Sequence, residues 1–179
     1  CRFTVATISL SLIALVFSPR LFQIFKKPPV GGVIAALFLA ANYYGFMHGL
    51  RLSSPGNAQI FIQMGPVAVA LVGIFYFKEQ VSKRQLAGFL LMLLGFVFFY
   101  EDQVSQLLGE EKLIFNQGSW WVFFGAMTWA VYTIMQKKLV EQHSPHELNI
   151  LTYTVASLVF LPQAEFSHLT KLELSQWLV

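Results

Sequence analysis

Gln59 and Gln63 stand four residues apart in an apolar run that continues to Pro66. At that spacing both carboxamides share one face of a helix, and the face leads to the proline. Each amide offers a donor and an acceptor, either to a solute or to a neighbouring helix. A proline inside a helix removes one backbone hydrogen bond and kinks the rod. Such a break either borders a passage or serves packing alone. A second polar set comprises Asn42, Tyr43, Tyr44, His48 and Arg51. Asn42 lies among small and aliphatic residues, which makes it a cavity candidate. His48 could move a proton at ordinary pH or sit passively at an interface. A third set, Trp121, Gly125, Thr128, Trp129, Tyr132 and Gln136, falls on one helical face. An aromatic wall with a hydroxyl and an amide suits a cationic or amphipathic ligand. The same stripe also serves as an ordinary packing surface.

Covalent chemistry finds little support. His146-Glu147 lacks the second histidine of an H-E-x-x-H helix, and His143-x-x-His146 is a weak metal pair beside a helix start. Neither a G-x-S-x-G elbow nor a phosphate-binding glycine loop occurs. A single Cys, at position 1, excludes a disulfide framework and thiolate metal sites. No catalytic residue, metal ligand or cofactor is therefore expected. Glu79 sits among Lys78, Lys83 and Arg84, where a salt bridge fixing a turn is expected in preference to proton coupling. No acidic residue lies deep in an apolar run.

The elements that must carry these residues follow from composition. Of 179 residues, 56% are apolar, 16% aromatic and only 12% charged. Soluble domains carry about 25% charged residues, so so few charges cannot cover a water-facing surface. At about 20 residues per span the length accommodates about six crossings. Six apolar segments emerge, near 2–17, 31–50, 55–77, 86–100, 120–139 and 148–161. Because lipid offers the backbone no partners, such runs are helices, and the fold class is an all-α polytopic membrane bundle. Ser82-x-x-Gln85 and Ser144-Pro145-His146-Glu147 are capping boxes, and Ser54-Pro55 opens the third run similarly. Asn57 is expected to help cap that end.

Loop charge then orients the bundle. Arg20, Lys26, Lys27, Lys78, Lys83, Arg84, Lys137 and Lys138 fall on one side. Arg2, Arg51, Lys112 and Lys171 share the other with Glu101, Asp102, Glu110, Glu111, Glu165 and Glu173. The basic side is the cytoplasmic one, which places loops 18–30, 78–85 and 137–147 inside and an acidic loop, 102–117, outside. Phe98-Phe99-Tyr100 and Trp120-Trp121 then share the outer interface. Gly45-x-x-x-Gly49 reads as close helix packing. Phe3-Thr4-Val5-Ala6 is similar to Tyr153-Thr154-Val155-Ala156. Five spans separate the two, so equivalent helices would cross in opposite directions, as in inverted-repeat transporters.

The stretch from Arg51 to Pro66, then Phe77-Lys-Glu79-Gln-Val-Ser82-Lys-Arg-Gln85-Leu-Ala-Gly88, resembles the EamA-type drug/metabolite transporters. Gly118-Ser-Trp-Trp-Val-Phe-Phe-Gly-Ala-Met-Thr-Trp129-Ala130-Val-Tyr132 resembles the opening helix of that family's second repeat. The resemblance implies ten helices in two inverted five-helix repeats with both termini cytoplasmic. On it the chain holds the second to seventh helices, with residues 1–101 in the first repeat, 118–179 in the second and Trp177 opening the eighth. Beginning at Cys1 and ending on Trp177-Leu178-Val179, the chain reads as a piece of a longer protein. The implied function is secondary transport, by efflux and alternating access, of a small organic metabolite at a bacterial inner membrane. Two alternatives are a nucleotide-sugar or phosphorylated-metabolite transporter of the same superfamily and a non-transporting scaffold. The expected path residues are Asn42, Tyr43, Gln59, Gln63, Pro66, Thr128, Trp129 and Tyr132. Glu79, Ser82 and Gln85 are expected to shape the cytoplasmic turn. The expected partners are a small-molecule substrate and the bilayer, with a homodimer compatible and nucleic acid excluded.

Overall fold

A computed structural model of the protein describes residues 2–17, 19–107 and 116–163. The described elements are helices: α1 (Arg2–Phe17), α2 (Val30–Leu52), α3 (Pro55–Ile62), α4 (Met64–Phe75), α5 (Lys83–Leu107), α6 (Gln117–Leu139) and α7 (Pro145–Phe160). Short 3-10 helices cover Pro19–Phe25, within the expected first loop, and Leu161–Gln163. No strand occurs among the described residues, and the chain is an all-α membrane helix bundle. Val30–Leu52 and Pro55–Phe75 are long and apolar enough to cross a bilayer, with mean hydropathies of 1.5 and 1.9.

Helix starts follow the capping chemistry. Ser82 accepts the Gln85 N–H at 3.2 Å while Gln85 accepts the Ser82 N–H at 2.9 Å. At α7, Ser144 accepts from the His146 N–H at 3.3 Å and Glu147 accepts the Ser144 N–H at 3.1 Å. Both pairs satisfy amides that have no partner inside the helix. Ser144→Ala is expected to lower unfolding stability by about 1 kcal/mol, read from denaturant titration of the purified protein. At α3 the cap is Ser54, which accepts the Asn57 N–H at 3.2 Å. The Asn57 side chain also reaches another helix, donating to Ser119 on α6.

Two boundaries differ from expectation. The third apolar run is two helices, not one, and the break falls at Gln63, three residues before the proline. Pro66 has no N–H to offer the carbonyl four residues earlier, and its ring crowds that carbonyl, so the distortion appears upstream. The chain recovers with the Gln63 N–H on the Ile60 carbonyl at 3.1 Å, a tighter turn. The second difference is at α5, which continues to Leu107 and so occupies part of the expected outer loop. Glu110, Glu111, Lys112, Glu165, Lys171, Glu173 and Trp177 lie outside the described residues, as do the side chains of Arg20, Phe99, Tyr100, Glu101 and Asp102.

Packing centres on α6, which touches α2, α3 and α4. The closest seam is with α2. A Cβ on Gly49 would lie 2.6 Å from the Gly118 carbonyl oxygen, and one on Gly45 would lie 3.0 Å from the Trp121 carbonyl oxygen. Glycine is required there because backbone meets backbone. Helices α1 and α7 lie side by side and antiparallel. Phe3 stacks on Phe160 with centroids 5.6 Å apart, whereas the 3-10 helix after α1 places Ile24 against Leu148 and Leu151 at the start of α7. An odd number of crossings between the similar segments requires that opposite sense.

Candidate functional site

The eight expected path residues divide by what their side chains already hold. Asn42 projects from α2 and donates Nδ2–H to the Gly125 carbonyl on α6 at 2.8 Å. The Thr128 hydroxyl, buried on α6, lies 2.8 Å from the same oxygen and 3.1 Å from the Phe124 carbonyl. Both side chains thus tie helix to helix or helix to itself. Tyr43 stands in an aromatic cluster that joins three helices: its ring meets Phe3 at 5.0 Å and Phe160 at 5.5 Å, both edge to face. Trp129 packs at Gly65 of α4, where a Cβ would approach its ring to 3.0 Å. Tyr132 accepts from Gln136 Nε2 at 3.2 Å, and the same nitrogen lies 3.2 Å from Thr152 Oγ1 on α7.

Gln59, Gln63 and Pro66 differ. Ala58 and Gly65 are buried toward α6, which turns Gln59 and Pro66 to an exposed side and leaves Gln63 half-buried. Among the described residues neither glutamine side chain has a hydrogen-bond partner. Such an amide in a membrane-crossing helix costs several kcal/mol if it meets only hydrocarbon. It needs a polar neighbour.

A groove of about 440 Å³ opens between α2, α6 and α7, lined by Leu37, Ala40, Ala41, Tyr44, Trp121, Phe124, Val159 and Phe160. None of the eight expected path residues is among its lining. Sequence reasoning reached Tyr44 and Trp121 but not the rest, because apolar residues spread over three helices carry no one-dimensional signal. Tyr44 stacks on His48 at 5.7 Å, and His48 meets the Trp121 ring edge to face at 5.0 Å. The expected stripe of Tyr44 and His48 therefore ends against α6.

At the turn after α4, Glu79 does make an ion pair, but its partner is Lys137 on α6 and not a basic neighbour in sequence. The Lys137 ammonium also lies 4.4 Å above the Phe77 ring, and Lys138 Nζ donates to the Tyr76 hydroxyl at 3.1 Å. At the opposite end of α6, Asn57 donates to Ser119 Oγ at 3.0 Å in a buried contact. The first turn of α6 is capped by Asn116, which accepts the Ser119 N–H at 2.8 Å.

The model of the EamA-like transporter family matches residues 1–100 and 116–179. An uncharacterized transporter of Haemophilus influenzae is 28% identical over 173 residues, which is 96% of this chain and 56% of the relative. The uncharacterized inner membrane transporter YhbE of Escherichia coli K12 is 29% identical over 183 residues, covering 98% of this chain and 55% of the relative. An uncharacterized transporter of Archaeoglobus fulgidus is 27% identical over 135 residues, 75% of this chain and 45% of its own length. The chain thus spans about half the length of the curated relatives it matches most fully. No solved structure matches it significantly. With two matched stretches covering nearly every residue, the chain belongs to the EamA-like transporter family.

Proposed function

We propose that this chain contributes to a secondary transporter that exports a small organic metabolite across a bacterial inner membrane by alternating access. The observation that carries the reading is a pair of carboxamides, Gln59 and Gln63, that have no hydrogen-bond partner among the described residues and stand beside the helix break that precedes Pro66. A break in a crossing helix frees backbone polar groups that are tolerated only against protein or a water-filled cavity. The two carboxamides at the same place add side-chain groups with the same requirement. On this reading Gln59, Gln63 and Pro66 form the polar wall of the path. Trp129, packed at Gly65, and Tyr132, held by Gln136, lie on the α6 side and brace the helices behind that wall. Asn42, Tyr43 and Thr128 hold α2, α6 and their neighbours in register around it.

The inner-membrane location rests on the relative of that description. The cytoplasmic side is the end that carries Lys78, Lys83, Arg84, Lys137 and Lys138, by the bias of basic loops. No cationic side chain sits at depth among the described residues, which favours a substrate without phosphate groups.

The test uses the full-length protein in proteoliposomes and a panel of neutral, cationic and phosphorylated metabolites, with and without an imposed proton gradient. At least one non-phosphorylated solute is expected to move faster than in protein-free vesicles. A folded protein that moves no member of the panel overturns the reading.

A further inference from the structure

The two ends of α6 are held by different chemistry. At its start the contacts are neutral and buried. Gly118 presses on the α2 backbone, where a Cβ would lie 2.6 Å from the Leu52 carbonyl carbon, and Asn57 bonds Ser119 at 3.0 Å. Such contacts separate only at the cost of leaving polar groups bare. At its far end α6 is joined to the turn after α4 by the Glu79–Lys137 pair, whose side chains are 50% and 46% exposed, and by lysine–aromatic contacts, while Gln136 holds the same end to α7. Water and salt screen the charged contacts, so they open easily.

The chain is shaped to deliver Glu79 to that end. Lys78 has φ of 52°, a left-handed conformation uncommon for lysine, and it turns the backbone so that the Glu79 N–H donates to the Gly73 carbonyl at 3.0 Å. The carboxylate then lies over Gly73, where a Cβ would sit 2.8 Å from Oε2. Any larger residue at 73 would push the carboxylate off its course to Lys137. Between this turn and the break at Gln63 runs α4, a single rod of 12 residues. It is thus loosely joined at one end and clasped by an exposed ion pair at the other.

We infer that Glu79 and Lys137 form a latch across the α4–α6 contact, and that its opening lets α4 swing about Gln63–Pro66 to admit solute at the lysine-rich end. Glu79 lies in the first stretch matched to the family and Lys137 in the second, so the latch joins the two matched parts. The inference rests on the transport reading for its purpose, though not for its test.

The experiment places a reporter cysteine at Thr133 in the full-length protein freed of other cysteines. Thr133 is half-buried, one turn from both Trp129, which packs at Gly65 of α4, and Lys137. Labelling by a membrane-impermeant maleimide is followed in inside-out vesicles without added solute. Glu79→Gln and Lys137→Gln are each expected to raise the labelling rate about two- to five-fold, the range of an exposed ion pair. The exchanged pair, Glu79→Lys with Lys137→Glu, is expected to return the rate toward the parent. High salt should speed the parent and leave the glutamine variants unchanged. Unchanged rates in both single variants overturn the latch, and so does an exchanged pair that labels as fast as either single variant. Because no transport is measured, failure of the panel assay leaves this result readable.

Discussion

Gly49→Leu is expected to destabilise the protein by about 3 kcal/mol, the upper range for forcing bulk into a close-packed contact. The first added carbon alone would stand 2.6 Å from the Gly118 carbonyl oxygen and 2.7 Å from the Val122 nitrogen. Both are backbone atoms of α6, so no rotamer change relieves the clash; the helices must separate. Separation would also lengthen the Asn42–Gly125 hydrogen bond, now 2.8 Å, and loosen the buried Asn57–Ser119 pair. The check is a denaturant titration of purified protein beside Gly88→Leu. Gly88 has nothing within 4 Å of its built Cβ, and it lies in α5, which makes no extensive contact with the other described helices. That control should lose no stability, since leucine is the better helix former by close to 1 kcal/mol. Equal losses at both sites would show that the α2–α6 seam has no special role.

The second large effect separates stability from transport. Gln63→Leu is expected to leave unfolding stability unchanged or raise it, because an amide with no partner among the described residues is replaced in a crossing helix by an apolar side chain. If the same amide meets solute on the proposed path, flux in proteoliposomes should fall at least about ten-fold, the loss of roughly one hydrogen bond in the rate-limiting state. Gln59→Leu should behave alike, since it shares the face. Asn42→Leu should show the opposite pattern. Its amide already bonds the Gly125 carbonyl, so stability drops by about 0.6 kcal/mol, the mean for a hydrogen bond between membrane helices. Flux then falls only as far as the folded fraction does. A Gln63→Leu protein that keeps full flux removes that residue from the path. Purified protein serves both halves of the comparison, in detergent for unfolding and in proteoliposomes for flux.

Much of the architecture was legible before any coordinates, because local chemistry governs it. Apolar runs of span length must satisfy their own backbone groups, and serine followed by glutamine or glutamate three residues on supplies free amides with acceptors; α2, α6, α7 and both capping boxes appear as those rules require. Gly45 and Gly49 announced a close seam four residues at a time. The break at Gln63 was legible only in kind: proline acts on the carbonyl four residues earlier, so its consequence is displaced along the chain.

Partner choice was not legible. Glu79 has Lys78, Lys83 and Arg84 as sequence neighbours, yet it pairs with Lys137, because the left-handed turn at Lys78 and the bare surface of Gly73 aim it across to α6. Asn42, Thr128, Tyr132 and Gln136 carry the same groups whether they bind a solute or a neighbouring helix. Thr128 and Tyr132 find a partner within one turn of their own helix, but nothing that near Asn42 predicts its partner, nor the second partner of Gln136. Packing chooses, by bringing a carbonyl at Gly125 or a hydroxyl at Thr152 within reach, and by leaving Gln59 and Gln63 with none among the described residues. Short-range rules name the helices and the groups they carry. Which of those groups stay unsatisfied depends on contacts between residues as far apart in the chain as Thr4 and Ser157, and only the assembled helices supply them.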